Sequence, residues 1–182
     1  GDTFYLNKGH QDGLENGQIF LILELGQKIK NYGYLTFMRG RAKISDATQS
    51  RATATLDKAC APVMVGYFLV PFEEKGGLLG KDLGYDILPR ETEESQGKII
   101  YSQDEHNLIG SGDWALVDLG EEDGIQIGQQ LVVYTKAKKK GALVKLIGNL
   151  IVINVQRKTS TVKVLSCNNP LKIGDLVQTH FK

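Results

Sequence analysis

The residues of this 182-residue chain able to do chemistry are few: three histidines, two cysteines and a set of aspartates beside glycines. His10, His106 and His180 fall in a loop, a connecting turn and the extreme C-terminus. No second histidine or carboxylate stands at a metal-ligand spacing from any of them, so they read as structural or solvent-exposed. A nucleophilic thiol needs a positioned base, and neither Cys60 nor Cys167 has one at a recognisable spacing. Both read as buried or idle thiols in near-equivalent places, just before Pro62 and Pro170. A bond between them needs the ends of two modules to meet. Asp2, Asp12, Asp113 and Asp123 recur next to glycines. Turn chemistry accounts for them, because an aspartate side chain accepts hydrogen bonds from nearby backbone amides, and the ligand alternation of a calcium loop is absent. The expectation is no catalytic residue, no cofactor and no bound metal.

Two further features invite a binding role. Lys136, Lys138, Lys139 and Lys140 crowd a hairpin tip, with Lys28 and Lys30 in the corresponding earlier loop. Such a cluster serves solubility as a solvated loop, and contact with an anionic polymer or lipid headgroup is the alternative that makes it a candidate binding loop. Phe4 and Trp114 each sit in a first strand and read as core residues rather than a carbohydrate-stacking platform. Lysine and arginine number 22 against 21 acidic residues, a net charge of +1, which lacks the field of a strongly basic nucleic-acid binder. No apolar run is long enough to span a bilayer.

The elements that position these residues come from an internal repeat, sought first because it governs the reading of everything else. Gly1-Asp2-Thr3-Phe4-Tyr5-Leu6 continues to Gly9, Asp12-Gly13-Leu14 and Gly17-Gln18. Gly112-Asp113-Trp114-Ala115-Leu116-Val117 continues at the same spacings to Gly120, Asp123-Gly124-Ile125 and Gly128-Gln129. The match resumes with Gly33 and Gly141, Gly40 and Gly148, Pro62 and Pro170, and Gly66 and Gly174. Period-two alternation within each copy predicts half-buried strands. Asp12, Gly13 and Gly17, with Asp123, Gly124 and Gly128, are the predicted structural turns, where glycine takes positive φ. Leu14 and Ile125, between those turns, are expected to plug the end of each core. Gly40 and Gly148 lie inside long strands, where glycine marks a bulge that lets a sheet curl into a barrel.

The fold class expected is therefore all-β: two tandem copies of a small barrel-like or sandwich-like module joined by a linker. The first copy takes residues 1–71, the linker 72–96, partly packed, and the second copy 97–182. Phe4, Leu6, Phe20, Ile22, Leu35 and Leu56 should face one core, and Trp114, Leu116, Leu131, Val133, Leu143 and Val164 the other. Lys98-Ile99-Ile100-Tyr101 supplies a strand ahead of Gly112-Asp113, whereas the first copy begins directly at Gly1-Asp2. That copy reads as cut at its N-terminus, with an open sheet edge able to recruit the linker, a second molecule in a homo-oligomer, or a partner.

The recurring Gly-Asp, apolar strand, Asp-Gly-[Leu/Ile]-x-x-Gly-Gln, hairpin and closing Pro-x-x-[Val/Ile]-Gly resembles the C-terminal β modules of bacterial cell-envelope proteins with an N-terminal LysM peptidoglycan-binding domain. It is also similar to the C-terminal barrel of flagellar assembly T proteins. The resemblance implies a non-enzymatic, periplasmic or envelope-associated module, contacting an envelope protein or peptidoglycan through regions outside this chain. The chain departs from the full pattern in having no LysM domain or signal peptide, and Tyr67 where the second copy has Asp175. A structural or protein-interaction module is the leading expectation, a carbohydrate- or peptidoglycan-binding module the alternative, and an enzyme the last.

Overall fold

The computed structural model describes residues 1–74, 82–84, 96–102, 108–135 and 145–179. His106, His180, Leu143 and the candidate loop of Lys136, Lys138, Lys139 and Lys140 lie outside the described residues. The chain is all-β, with no α-helix among the described residues, and divides into two units, residues 1–76 and 77–182.

In the first unit, β1 (Thr3–Leu6), β2 (Ile19–Ile29), β3 (Gly33–Ala47), β4 (Ala52–Ala59) and β5 (Phe68–Pro71) form one antiparallel sheet in the order β1-β4-β3-β2-β5. Period-two alternation gives this sheet a single apolar face. Phe20, Ile22, Ala42, Ile44, Ala47, Ala52 and Ala54 are buried on it, with Phe4, Leu6, Leu14 and Leu56 partly buried against them. Leu35 is buried without joining that cluster.

The second unit holds β6 (Gln96–Ser102), β7 (Trp114–Val117), β8 (Gln130–Thr135), β9 (Lys145–Val155), β10 (Ser160–Cys167) and β11 (Leu176–Thr179). These close into a barrel in the order β10-β7-β6-β11-β8-β9. Its interior is apolar and fully packed, from Ile99, Val117 and Leu131 to Val152, Val162 and Val177. Trp114 and Leu116 do not face it, contrary to expectation. Side chains alternate across a strand, and on β7 Ala115 and Val117 take the inward positions, while Trp114 stacks beside Tyr101 at a ring separation of 5.9 Å. Ile125 belongs to the interior cluster, and its counterpart Leu14 packs on the first sheet.

Within each unit, backbone hydrogen bonds join residues that the sequence repeat sets at like positions. Gly17 N–H donates to Ile44 O and Gly128 N–H to Val152 O, each at 2.8 Å. Leu56 N–H donates to Asp2 O at 2.8 Å and Val164 N–H to Asp113 O at 2.9 Å. Cys60 N–H meets Arg39 O as Asn168 N–H meets Ile147 O, both at 2.8 Å. The two thiols are accordingly offset by one residue: Cys167 pairs with Gly148 as Ala59 pairs with Gly40, and Cys60 stands one further on. Both cysteines are free. Ladder shifts flank Gly40 and Gly148 on the long strands, the bulges that bend each sheet.

Candidate functional site

Asp12 and Asp123 each close a short 3-10 turn, His10–Asp12 and Glu121–Asp123. Their carboxylates accept from the backbone N–H groups of Gly9 and Gly120 at 3.0 and 2.8 Å. Gly13 and Gly124 end those turns in the left-handed region at φ 84° and 76°, where a side chain would be strained. Gly17 and Gly128 follow at the next turn. These acids are spent on backbone amides within their own loops. Asp113 accepts from Gly110 N–H in the same way at 2.8 Å. Among the described residues, no three His, Cys, Asp or Glu side chains converge as a metal site would require. His10 Nδ1 lies 2.9 Å from Leu14 O, on an exposed loop. Lys28 lies on β2 rather than in a loop, its ammonium 5.8 Å from the Tyr34 ring centre.

A groove of about 970 Å³ lies in the first unit, between the two edge strands β1 and β5. Phe4, Leu6, Leu56, Val63, Tyr67 and Leu69 form its walls, and Cys60, Met64 and Val65 its rim. The wall residues are all only partly buried. At the positions matched in sequence to Phe4, Leu6, Leu56, Val63 and Leu69, the barrel carries Ala115, Val117, Val164, Leu171 and Val177, every one fully buried, while Asp175, matched to Tyr67, is half-buried. Two contacts in the barrel cover these residues. In the barrel, β6 pairs antiparallel with β7 on one side and β11 on the other, and puts Ile99, 0% exposed, into the interior. Leu171 is further covered by a reciprocal backbone bridge to Ile109, with both hydrogen bonds at 2.9 Å. In the first unit no described strand lies between β1 and β5. The two edge strands also carry exposed aromatics, with Tyr5 86% and Phe68 55% accessible.

Sequence reasoning missed the groove between the two edge strands. It also missed a second polar feature, on the barrel. Asn149, fully buried on β9, donates through its amide nitrogen to Asp82 Oδ1 at 2.7 Å and to Gly84 O at 3.1 Å. Its carbonyl accepts from Ser166 N–H at 3.1 Å and from the Ser166 hydroxyl at 2.7 Å. Leu83 N–H donates to Gln130 Oε1 at 3.1 Å. This part of the expected linker is therefore strapped to the barrel. With every amide group satisfied, Asn149 is a fastening rather than a ligand group.

No protein-family model and no curated protein matches the chain.

Proposed function

We propose that the chain is a non-catalytic protein-interaction module in which the two units are tandem copies of one β module and the first unit supplies the binding surface. The observation that carries this reading is the contrast at matched positions. The apolar residues that β6 seals in the barrel remain half-open in the first unit, along a groove flanked by two sheet edges. Contiguous apolar surface of this kind, rimmed by polar residues, marks interaction sites. The reading assigns the module to a larger envelope-associated protein, and the support for that assignment is the motif resemblance to LysM-associated modules.

Glycan binding is the second reading, favoured by Tyr5, an exposed aromatic on the edge strand that borders the groove. One experiment separates the two. A photo-crosslinking amino acid is placed at Met64 or Val65, on the groove rim, and at Ile153 on the exposed barrel exterior. Each chain is then incubated with envelope extract and with purified sacculi. The interaction reading expects a discrete protein adduct from the two groove positions and none from Ile153. Equal labelling from all three positions, or sedimentation with sacculi in place of a protein adduct, defeats it.

A further inference from the structure

The groove is a vacancy between two sheet edges of defined polarity, and that polarity constrains what can fill it. Every neighbouring pair in β1-β4-β3-β2-β5 is antiparallel. The two edges therefore run the same way, and a single strand antiparallel to β1 is also antiparallel to β5. That is the relation β6 has to β7 and β11. Ladder bonds alternate along an antiparallel strand. Asp2 O is engaged by Leu56 N–H of β4, so Phe4 and Leu6 face β4, and the amides of Thr3 and Tyr5 face the vacancy. On β5, Phe72 N–H is engaged by Ile19 O, so Leu69 faces the vacancy.

We propose, building on the interaction reading above, that this vacancy is a receptor for one extended strand of another polypeptide. The strand inserts antiparallel to both β1 and β5, with a branched apolar residue pointing into the groove where Ile99 points into the barrel. Main-chain bonds on both sides supply affinity, and the inward side chain supplies selectivity. A strand bonded on both sides must arrive with both of its edges free. Among the described residues, β1 and β5 have one free edge each and the other strands have none. A second copy of this chain thus offers no described strand that can satisfy both edges without dismantling its own sheet. The inserted segment must instead come from a chain region that is in no sheet before binding. A flat edge-to-edge contact would cover only one margin and leave Phe4, Val63 and Leu69 open.

The test uses the whole chain and, as probe, an end-capped heptapeptide with the sequence of Gln96–Ser102. Two variants of the peptide leave the protein untouched: one N-methylated at the residue matching Ile99, and one carrying I99D. Binding is followed by fluorescence anisotropy, and amide exchange by NMR. The expected result is saturable binding, at least about tenfold slowing of exchange at Thr3, Tyr5 and Leu69, and about tenfold or greater loss of affinity for each variant peptide. The proposal is overturned by no binding up to about 1 mM peptide, by binding indifferent to N-methylation, or by protection outside the first unit. It is equally overturned if those amides are already protected in the free monomer, or become protected only on dimerisation, since the occupant is then the chain itself or a second copy. A protein adduct at Met64 or Val65 combined with failure of the peptide leaves the interaction reading standing and removes only the inserted strand. Absence of any adduct removes the interaction reading itself.

Discussion

Asn149 and Asp82, 67 residues apart in the chain, are joined by a hydrogen bond of 2.7 Å that holds the segment before the barrel against strand β9. The same asparagine grips Ser166 on β10, so one side chain links a strap and two strands. Its replacement by leucine strands the Ser166 hydroxyl and the Asp82 carboxylate. We expect N149L to cost about 2–3 kcal/mol, read from chemical denaturation of the barrel. N149D should cost more at neutral pH, because it sets a buried carboxylate against Asp82, and should regain stability as the pH falls.

The paired glycines predict a local effect of equal size in the two units. Gly13 and Gly124 hold the left-handed conformation with no neighbour within 4 Å of an added Cβ. Strain, not crowding, is what a β-branched residue would meet. G13V and G124V should each destabilise their own unit by about 1 kcal/mol or more. Gly148 behaves differently, since an added Cβ would lie 2.8 Å from Ser166 O. Even G148A should lower the barrel's melting temperature.

Burial raises the pKa of the Asp175 carboxyl, against the opposing pull of the Lys172 backbone N–H it accepts at 2.7 Å and of the Lys172 charge. A carboxyl whose pKa is higher folded than unfolded binds its proton more tightly in the native state. Its charged form therefore costs stability at neutral pH, and that cost disappears as the pH falls through the folded pKa and on below the ordinary value of about 3.9. D175N keeps an acceptor for Lys172 N–H and removes the charge. It should melt higher than the parent chain at pH 7 and lose that advantage in acid. An advantage constant across pH would show that the charge is not its origin.

The two units should not unfold together. The barrel has no sheet edge and a sealed interior, whereas the first sheet has two edges and a half-open apolar face. Hydrogen exchange under increasing denaturant should release Phe20, Ile22 and Ile44 well before Leu131, Val133 and Val152. Coincident release would show one cooperative structure.

The sequence alone determined what is local. Period-two alternation made the chain all-β, because successive strand side chains point to opposite faces whatever the partner strand. Asp12 with Gly13 and Asp123 with Gly124 were legible as turns because the bonds they make close within three residues. The segment Lys98-Ile99-Ile100-Tyr101 could be read as a strand on composition, and it forms the middle of β6. Alternation does not say which of two faces is inward. On β7 small Ala115 and Val117 went inside and Trp114 and Leu116 did not, against the expectation that those two face the core. Closure was likewise a tertiary outcome. Whether a curved sheet becomes a barrel or stays open depends on a strand reaching both edges at once, as β6 does at β7 and β11. The partners of Asn149 were decided the same way, because a buried amide takes whichever groups the fold brings to it. Ser166 is the cross-strand neighbour of Asn149 in the β9–β10 ladder, but Asp82, 67 residues away, carries no local mark of that meeting.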